Sequence, residues 1–287
     1  MTTPPILPPL RDVIAAFDLQ AIKGLGQHFL LDLNLTDKIA RGAGDLTQNT
    51  VLEIGPGPGG LSRALLAQGA RNVIAIEKDR RCIAALAPLS TAYPGRFTVH
   101  EKDALSLIET ELQGLSHPVK IIANLPYRIS TALLVKWLTV DPWPPWYEAM
   151  TLMFQKEVAD RIVAQPGTKA YGRLSVLSQW RAQPTRLFDI PARAFTPPPK
   201  VDSSLVQITP HSVTNKPGLS SALQKLTAAA FGQRRKMLRS SLRSLECDPL
   251  PILQQTGIDP TCRAEQISVS DFTALAEAYQ NAANLIP

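Results

Sequence analysis

The chain has few of the features that secreted, membrane-spanning and metal-binding proteins depend on. It contains only three cysteines, Cys82, Cys247 and Cys262, with no Cys-x-x-Cys pair, so a disulfide framework or a zinc site is not expected. No apolar run approaches the ~18 uninterrupted residues of a membrane span. The first residues, MTTPPILPPLRDV, lack the basic and apolar regions of a signal peptide. We therefore expect a cytoplasmic protein with no metal site and no membrane association.

The overall composition is that of an ordinary globular protein. Hydrophobic residues make up 45% of the 287 residues and charged residues 19%, and this length corresponds to about two domains. The net charge of +6 and the isoelectric point near 9.3 are compatible with a polyanionic partner but do not identify one.

Strand and helix patterns alternate through most of the chain. Short apolar segments with the character of buried strands begin at residues 50, 72, 97, 119 and 149, and amphipathic segments separate them. This alternation predicts βαβ units and a mostly parallel sheet, as in a Rossmann-like α/β domain. After residue 210 only helical patterns remain. We expect an α/β domain over residues 1–210, with an N-terminal extension at 1–23, and a smaller all-helical domain over 211–287.

The first strand-to-helix turn, in VLEIGPGPGG, is rich in glycine. Ligands of open α/β sheets bind at this point, and glycine lets the backbone approach them closely. Gly55, Gly57 and Gly60 satisfy the G-x-G-x-x-G pattern of dinucleotide sites, so that ligand stays possible. Glu53, two residues before the first glycine, resembles instead the acidic residue of the S-adenosylmethionine loop in class I methyltransferases.

Acidic residues also end the next two predicted strands. Glu77 follows the second strand and suits the hydroxyl groups of a ribose, whereas Asp103 follows the third and suits the amino group of an adenine. Acids at the ends of three successive strands favour a methyltransferase over a dehydrogenase.

The fourth strand ends in Asn-Leu-Pro-Tyr, residues 124–127. The exocyclic N6 of adenine is a poor nucleophile because its lone pair is delocalised into the ring. The Asn124 side-chain oxygen and a backbone carbonyl near Leu125 or Pro126 can each accept one N6 hydrogen. Tyr127 offers a ring on which the base can stack. The motif therefore predicts methyl transfer to adenine N6, helped by positioning and electrostatics.

Motifs along nearly the whole chain resemble the ribosomal RNA adenine N6,N6-dimethyltransferases, especially the bacterial small-subunit type. The matching segments are GLGQHFLLD (24–32), EIGPGPGGLS (53–62), EKD (77–79), NLPYRIS (124–130), MFQKEVADRIVAQPGTKAYGRLSV (153–176), AFTPPPKVDSSL (194–205) and AAFGQRRKMLRSSL (229–242). All of these in one order are highly specific.

The resemblance implies a set of site residues. The cofactor, S-adenosylmethionine, would be held by Gln27, His28, Leu30, Glu53, Gly55, Gly57, Gly59, Glu77, Lys78, Asp103, Ala104 and Asn124. The catalytic set would be Asn124, Leu125, Pro126, Tyr127 and Phe195. Phe195 resembles the aromatic that sandwiches the target base from the side opposite Tyr127, although a plain core aromatic is an equal alternative. His28 is a departure, since many members carry asparagine there.

A basic segment lies in the C-terminal part of the chain. No acidic residue occurs between His211 and Leu245. We expect one helix here, on which Phe231, Leu238, Leu242 and Leu245 share a face and the basic residues flank it. We interpret this segment as an RNA-phosphate surface rather than a solvated helix. The candidate RNA-binding residues are Arg234, Arg235, Lys236, Arg239, Arg243 and Lys200.

The resulting functional hypothesis is dimethylation of two adjacent adenosines in the 3′-terminal helix loop of small-subunit ribosomal RNA. The resemblance implies an immature small subunit as substrate and a monomeric enzyme. The alternatives are a large-subunit dimethyltransferase of the macrolide-resistance type and a weakly catalytic ribosome-assembly factor. A DNA adenine methyltransferase fits less well, because its motif usually has two prolines after the first residue. A dinucleotide oxidoreductase is also disfavoured, because hydride transfer does not require the Asn-Leu-Pro-Tyr motif.

Overall fold

In the part of the chain that the computed structural model describes, nine strands form two sheets. The structure describes residues 7–21, 26–107, 118–212, 216–245 and 247–283. In chain order the strands are β1 (Phe29–Leu30), β2 (Thr50–Ile54), β3 (Asn72–Glu77), β4 (Phe97–Glu101), β5 (Val119–Ala123), β6 (Tyr147–Gln155), β7 (Ala182–Ile190), β8 (Phe195–Thr196) and β9 (Ser203–Pro210).

The main sheet has seven strands in the order β4-β3-β2-β5-β6-β9-β7. The first five strands in this order, β4 to β6, pair in parallel with their neighbours. Strand β9 pairs antiparallel with β6. The two short strands β1 and β8 form a separate antiparallel pair, with Phe29 opposite Thr196 and Leu30 opposite Phe195. The predicted mostly parallel sheet is confirmed.

The central strands are apolar because helices cover both faces of a parallel sheet. All five residues of β2 are buried. The described helices are α1 (Leu10–Ala16), α2 (Leu33–Gly42), α3 (Gly60–Ala67), α4 (Arg80–Ala85), α5 (Ala87–Ala92), α6 (Tyr127–Leu138), α7 (Lys156–Val163), α8 (Arg173–Trp180), α9 (Leu219–Gly232), α10 (Leu238–Ser241), α11 (Pro249–Thr256) and α12 (Val269–Ala283). None of these helices is long and apolar enough to span a bilayer.

The chain divides into two compact units. The first comprises Met1–Leu133, Trp146–Ala159 and Thr185–Thr209, and the second comprises Leu134–Pro145, Asp160–Pro184 and Pro210–Pro287. Two segments that precede residue 210 thus group with the C-terminal helices. The boundary at 210/211 stays a prediction about functional domains.

The second unit has its own apolar core. Leu223 and Leu226 of α9 and Phe272 and Leu275 of α12 are fully buried in it, and Tyr171 from an earlier segment joins them. The Tyr171 hydroxyl donates to the Ile267 carbonyl at 2.9 Å. This core makes the second unit a packed helical body, as expected for the C-terminal part.

The predicted N-terminal extension is partly described. Residues 1–6 and 22–25, including Gly24 and Leu25 of the first motif, lie outside the described residues. Residues 10–16 form α1, whose Leu10 and Val13 are buried. Val13 packs with Phe29 and with Cys82 of α4, so this helix belongs to the first unit's core.

Candidate active site

One cavity collects most of the predicted site residues at the carboxyl ends of β2, β3, β4 and β5. The space between its walls, with its open mouth included, is about 920 Å³. The predicted residues that line it are Gln27, His28, Leu30, Glu53, Gly55, Gly57, Glu77, Lys78, Asp103, Ala104, Asn124, Leu125, Pro126 and Tyr127. Gly59 and Phe195 do not line it.

The glycine loop needs its glycines for two reasons. Gly55 and Gly57 adopt φ of +66° and +56°, values that residues with a Cβ rarely adopt. A Cβ on Gly57 would also lie 3.0 Å from the Phe29 ring. Gly59, with φ of +87°, precedes the first turn of α3, and a Cβ there would lie 2.8 Å from Leu86. The structure thus gives Gly59 a turn and packing role rather than a place in the cavity wall.

Glu53 is the most buried acid of the cavity. Its side chain leaves β2 toward α3, and its Oε2 accepts a hydrogen bond of 2.6 Å from the Ser62 hydroxyl. Burial raises the pKa of Glu53 to about 8, although the Ser62 hydrogen bond acts in the opposite direction and Glu77 raises it further. The carboxyl group is therefore largely neutral at pH 7 in the described state.

Glu77 is held rigidly by backbone N–H groups. Its Oε1 accepts from the N–H groups of Lys78 and Asp79 at 2.8 and 2.9 Å, and its Oε2 accepts from Gly57 at 3.3 Å. Burial raises the pKa of Glu77, and the three N–H groups lower it. The hydrogen bond to Gly57 joins the acid at the end of β3 to the glycine loop, so the two predicted features act as one wall.

The next acid, Asp103, lies nearer the solvent. Its Oδ1 accepts from the Leu105 N–H at 2.9 Å and its Oδ2 accepts from Lys78 Nζ at 3.3 Å. The backbone N–H of Leu105 lowers its pKa most, with the Lys78 ammonium adding to the effect. Ala104 starts a 3-10 turn directly after it. Lys78 and Ala104 thus stand beside this acid, as their sequence positions suggest.

Asp79 supports the cavity from outside its lining, and the sequence argument did not single it out. Gln27 Nε2 donates to its Oδ2 at 3.0 Å. Hydrogen bonding to the Arg81 side chain lowers the pKa of Asp79 to about 2 against the effect of burial, and Gln27 lowers it further. Asp79 therefore fixes the Gln27 amide at the rim. The EKD motif was its only signal, and the hydrogen bond across 52 residues of chain was not readable from it.

Asn124 follows β5 and is anchored by the loop before β1. Its Nδ2 donates to the His28 carbonyl at 3.0 Å. This bond uses the nitrogen of the amide, so Oδ1 is the atom of that amide that remains as an acceptor. The Pro126 carbonyl accepts from Ile129 and Ser130 in the first turn of α6. No described residue donates to the Leu125 carbonyl, so Leu125 is the better of the two backbone acceptors considered.

Two rings, His28 and Tyr127, lie side by side in the cavity that Asn124 also lines. The ring centroids of His28 and Tyr127 lie 5.6 Å apart and are tilted by 34°. His28 Nδ1 is 2.7 Å from the Pro197 carbonyl. The Tyr127 hydroxyl forms a 2.6 Å hydrogen bond with Ser203 Oγ. Both rings are therefore fixed by the segment 195–203.

Phe195 does not take the position expected of a base-stacking ring. It is 2% exposed and packs in the first unit's core. Its strand β8 pairs with β1, and the His28 ring meets it edge-on at 6.5 Å between centroids. The core alternative fits this arrangement, because the strand pairing directs Phe195 inward. The aromatic ring beside Tyr127 in the cavity is His28.

The basic C-terminal segment is not one continuous helix, so that prediction is wrong. Helix α9 ends at Gly232, and Gln233 has non-helical angles of −128° and 58°. Met237 then forms a β-bridge with Arg263 before α10 begins at Leu238. The apolar part of the pattern still packs, since Leu238 and Leu242 are fully buried.

The turn after α9, together with α10 and the residues directly after it, carries exposed cations. Arg235, Lys236, Arg239 and Arg243 are exposed and have no ion pair with another described residue. Arg234 differs, because it donates to Glu265 at 2.7 Å and to the Lys169 carbonyl at 2.8 Å. We call residues 233–245 the basic turn. Lys200 is exposed in the first unit.

The strand order and the cavity together define the class of the protein. A seven-stranded sheet with one antiparallel strand inserted next to its edge, and a glycine loop flanked by strand-end acids, is the class I methyltransferase fold. Within that class, the chain belongs to the ribosomal RNA adenine dimethylase family, whose model matches residues 19–281.

Individual relatives agree with this placement. The chain is 58% identical over 277 residues to "Ribosomal RNA small subunit methyltransferase A" of Azorhizobium caulinodans, covering 96% of this chain and 94% of that protein. It is also 58% identical to the protein of the same name in Mesorhizobium japonicum, covering 95% and 98%. A dimethyladenosine transferase from Plasmodium falciparum superposes with a TM-score of 0.73 and 25% identity, covering 89% of this chain and 98% of that chain.

Proposed function

We propose that this protein transfers methyl groups from S-adenosylmethionine to N6 of two adjacent adenosines in the 3′-terminal helix loop of small-subunit ribosomal RNA. The observation that carries the proposal is the fixed orientation of the Asn124 amide. The amide nitrogen donates to the His28 carbonyl, so the amide oxygen is available to accept a hydrogen bond from an exocyclic amino group.

The printed names of the relatives support the small-subunit substrate. The two relatives described above are named as small-subunit methyltransferases, and each alignment covers at least 95% of this chain. The family description adds adenine as the base and dimethylation as the outcome. An immature small subunit, a monomeric enzyme and a cytoplasmic location complete the proposal.

The cavity residues fit S-adenosylmethionine. The Glu77 carboxylate is fixed at the end of β3 and suits two ribose hydroxyls, and Asp103 suits an adenine amino group. Gly55 and Gly57 line the cavity without side chains, and such a backbone can approach a ligand closely. The sulfonium of this cofactor carries the methyl group that such a transfer requires.

The protein's contribution to the reaction is orientation of the base. The Asn124 Oδ1 and the Leu125 carbonyl are two acceptors on one short segment, and together they suit the two N6 hydrogens of an adenine. Accepting both hydrogens favours a pyramidal nitrogen with its lone pair directed away from them. The restricted backbone at Pro126 keeps these acceptors in place. No strong base is needed, because the nitrogen loses its proton once it is alkylated.

The basic turn supplies a surface for RNA phosphates. Its exposed arginines and lysine suit recognition of a folded RNA through its backbone and shape. The target adenosine then has to leave its stack to reach the Asn124 amide. Tyr127 beside that amide offers a face for the displaced base.

Asn124→Ala tests the proposed role at N6. We expect methyl transfer to small ribosomal subunits to be lost, while affinity for S-adenosylmethionine changes by less than about tenfold. Transfer is measured with labelled S-adenosylmethionine and affinity by calorimetry. Asn34→Ala, at an exposed position in α2, is the matched control and should keep full turnover. Equal turnover of the Asn124 variant and this control would contradict the role.

A further inference from the structure

Tyr127 is held by a residue that has no assigned role. Ser203, the first residue of β9, is fully buried, and its Oγ lies 2.6 Å from the Tyr127 hydroxyl. This contact joins residues 76 positions apart in sequence. A tyrosine ring on the wall of a cavity would otherwise be free to tilt about its side-chain torsions.

The neighbouring serine points elsewhere. Successive side chains of a strand lie on opposite faces of a sheet, and Ser204 accordingly donates to Asp189 at 2.6 Å. Ser204 is also fully buried. The two serines thus make hydrogen bonds of the same length from adjacent positions, but only the Ser203 bond reaches a residue that lines the cavity.

The anchor itself is well fixed. Ser203 pairs with Gln155 in the register of β6 and β9. The residue before it, Asp202, accepts from Lys156 through its backbone carbonyl and from the Ala192 N–H through its side chain. The hydroxyl therefore sits on a strand end that is tied down on both sides.

We propose that Ser203 is a positioning residue, which sets the plane of the Tyr127 ring and through it the orientation of the target adenine relative to Asn124. This inference rests on the proposed function. The ring is the surface against which the base lies, so a ring free to tilt presents the base in many orientations, of which few direct N6 to the Asn124 acceptors. The second transfer is more demanding, because an N6 that already carries one methyl group has a single hydrogen left to orient it.

The test compares Ser203→Ala, Tyr127→Phe and the double variant with Ser204→Ala as the matched control. Loss of the hydrogen bond should lower kcat about tenfold in either single variant. The affinity for S-adenosylmethionine should stay unchanged, and the product should shift from dimethyladenosine toward monomethyladenosine. The double variant should be no slower than the slower single variant, because both changes remove the same bond. Ser204→Ala should keep the rate and product ratio of the wild type.

Several results would overturn the inference. Equal rates and product ratios for Ser203→Ala and Ser204→Ala would make the bond irrelevant to transfer. Losses that multiply in the double variant would show that the two residues act separately. Tyr127→Phe keeps the ring and serves if Ser203→Ala does not fold.

A wild-type protein that transfers no methyl group would refute the proposed function instead. The inference is then tested without activity, by nuclear magnetic resonance of labelled tyrosine, with the Tyr127 signal assigned from its absence in Tyr127→Phe. Faster ring flipping of Tyr127 in Ser203→Ala than in Ser204→Ala would support the positioning role, and equal flipping in the two variants would overturn it.

Discussion

Replacing Glu53 by glutamine should flatten the dependence of the protein's stability on pH. In the unfolded chain this carboxyl group titrates with a pKa of 4.5, whereas burial raises its pKa to about 8 in the folded protein. Between these values the folded state binds one more proton than the unfolded state. The contribution of Glu53 to the free energy of unfolding is therefore fully present below pH 4.5, and it is lost as the pH rises through about 8.

The magnitude follows from the width of that window. Each pH unit inside it changes the free energy of unfolding by about 1.4 kcal/mol. Between about pH 6 and about pH 8 the wild type should lose on the order of 2–3 kcal/mol through this group alone. Glutamine has the same shape and can accept the hydrogen bond from Ser62, but it does not ionise. The free energy of unfolding of Glu53→Gln, relative to that of the wild type, should therefore increase by this amount as the pH rises.

Urea unfolding at a series of pH values measures the effect. The difference between the Glu53→Gln and wild-type curves isolates Glu53, because Glu77 and the other acids are common to both proteins. Glu157→Gln is the matched control, since Glu157 is exposed at the start of α7, and it should follow the wild-type slope. Parallel curves for wild type and Glu53→Gln would refute the reasoning and show that Glu53 is ionised in the folded protein at neutral pH.

Two further predictions concern the basic turn and the glycine loop. Reversing Arg235 and Arg239 to glutamate should weaken subunit binding and reduce the magnitude of the slope of log K against log salt by about 1.5. The control reverses the exposed pair Arg11 and Arg71 to glutamate and should leave that slope unchanged. An unchanged slope in the first variant would make the basic turn a solvated surface. Gly57→Ala should cost about 1–2 kcal/mol of stability, because φ is +56° and the new Cβ would lie 3.0 Å from the Phe29 ring. Gly232→Ala, where a Cβ meets nothing within 4 Å, should cost no stability in urea unfolding, and equal costs for the two variants would contradict the strain argument.

The parallel sheet and the cavity were largely predictable from sequence because their signals are local. The strands β2, β3 and β5 are short apolar segments that end in the residues the chemistry needs: Glu53, Glu77 and Asn124. Parallel strands bring such ends to one edge of a sheet. The residue types and their place after each strand therefore sufficed to group them.

The contacts that orient the site were not predictable, because they join distant parts of the chain. The pairing of β1 with β8 turns Phe195 into the core and leaves His28 beside Tyr127. The bond from Ser203 to Tyr127 likewise depends on the register of β9 against β6. Hydrophobic periodicity carries no information about either pairing.

The prediction of one continuous basic helix was wrong for a different reason. Phe231, Leu238 and Leu242 do lie on one face of an ideal helix, and all three pack in the second unit. The chain reaches that packing with a turn after Gly232 instead, where Gln233 leaves the helical angles and Met237 forms a bridge with Arg263. Tertiary pairing thus overrides the helical pattern.

The most direct test of the account is methyl incorporation by the purified protein from labelled S-adenosylmethionine. Small ribosomal subunits lacking the dimethyl mark, large subunits and duplex DNA are offered in parallel, and the modified nucleoside is identified after digestion. The account predicts N6,N6-dimethyladenosine in small-subunit RNA alone. Incorporation into large-subunit RNA would assign the protein to the other dimethyltransferase type. Tight binding of small subunits without any incorporation would contradict the account and leave the protein as an assembly factor.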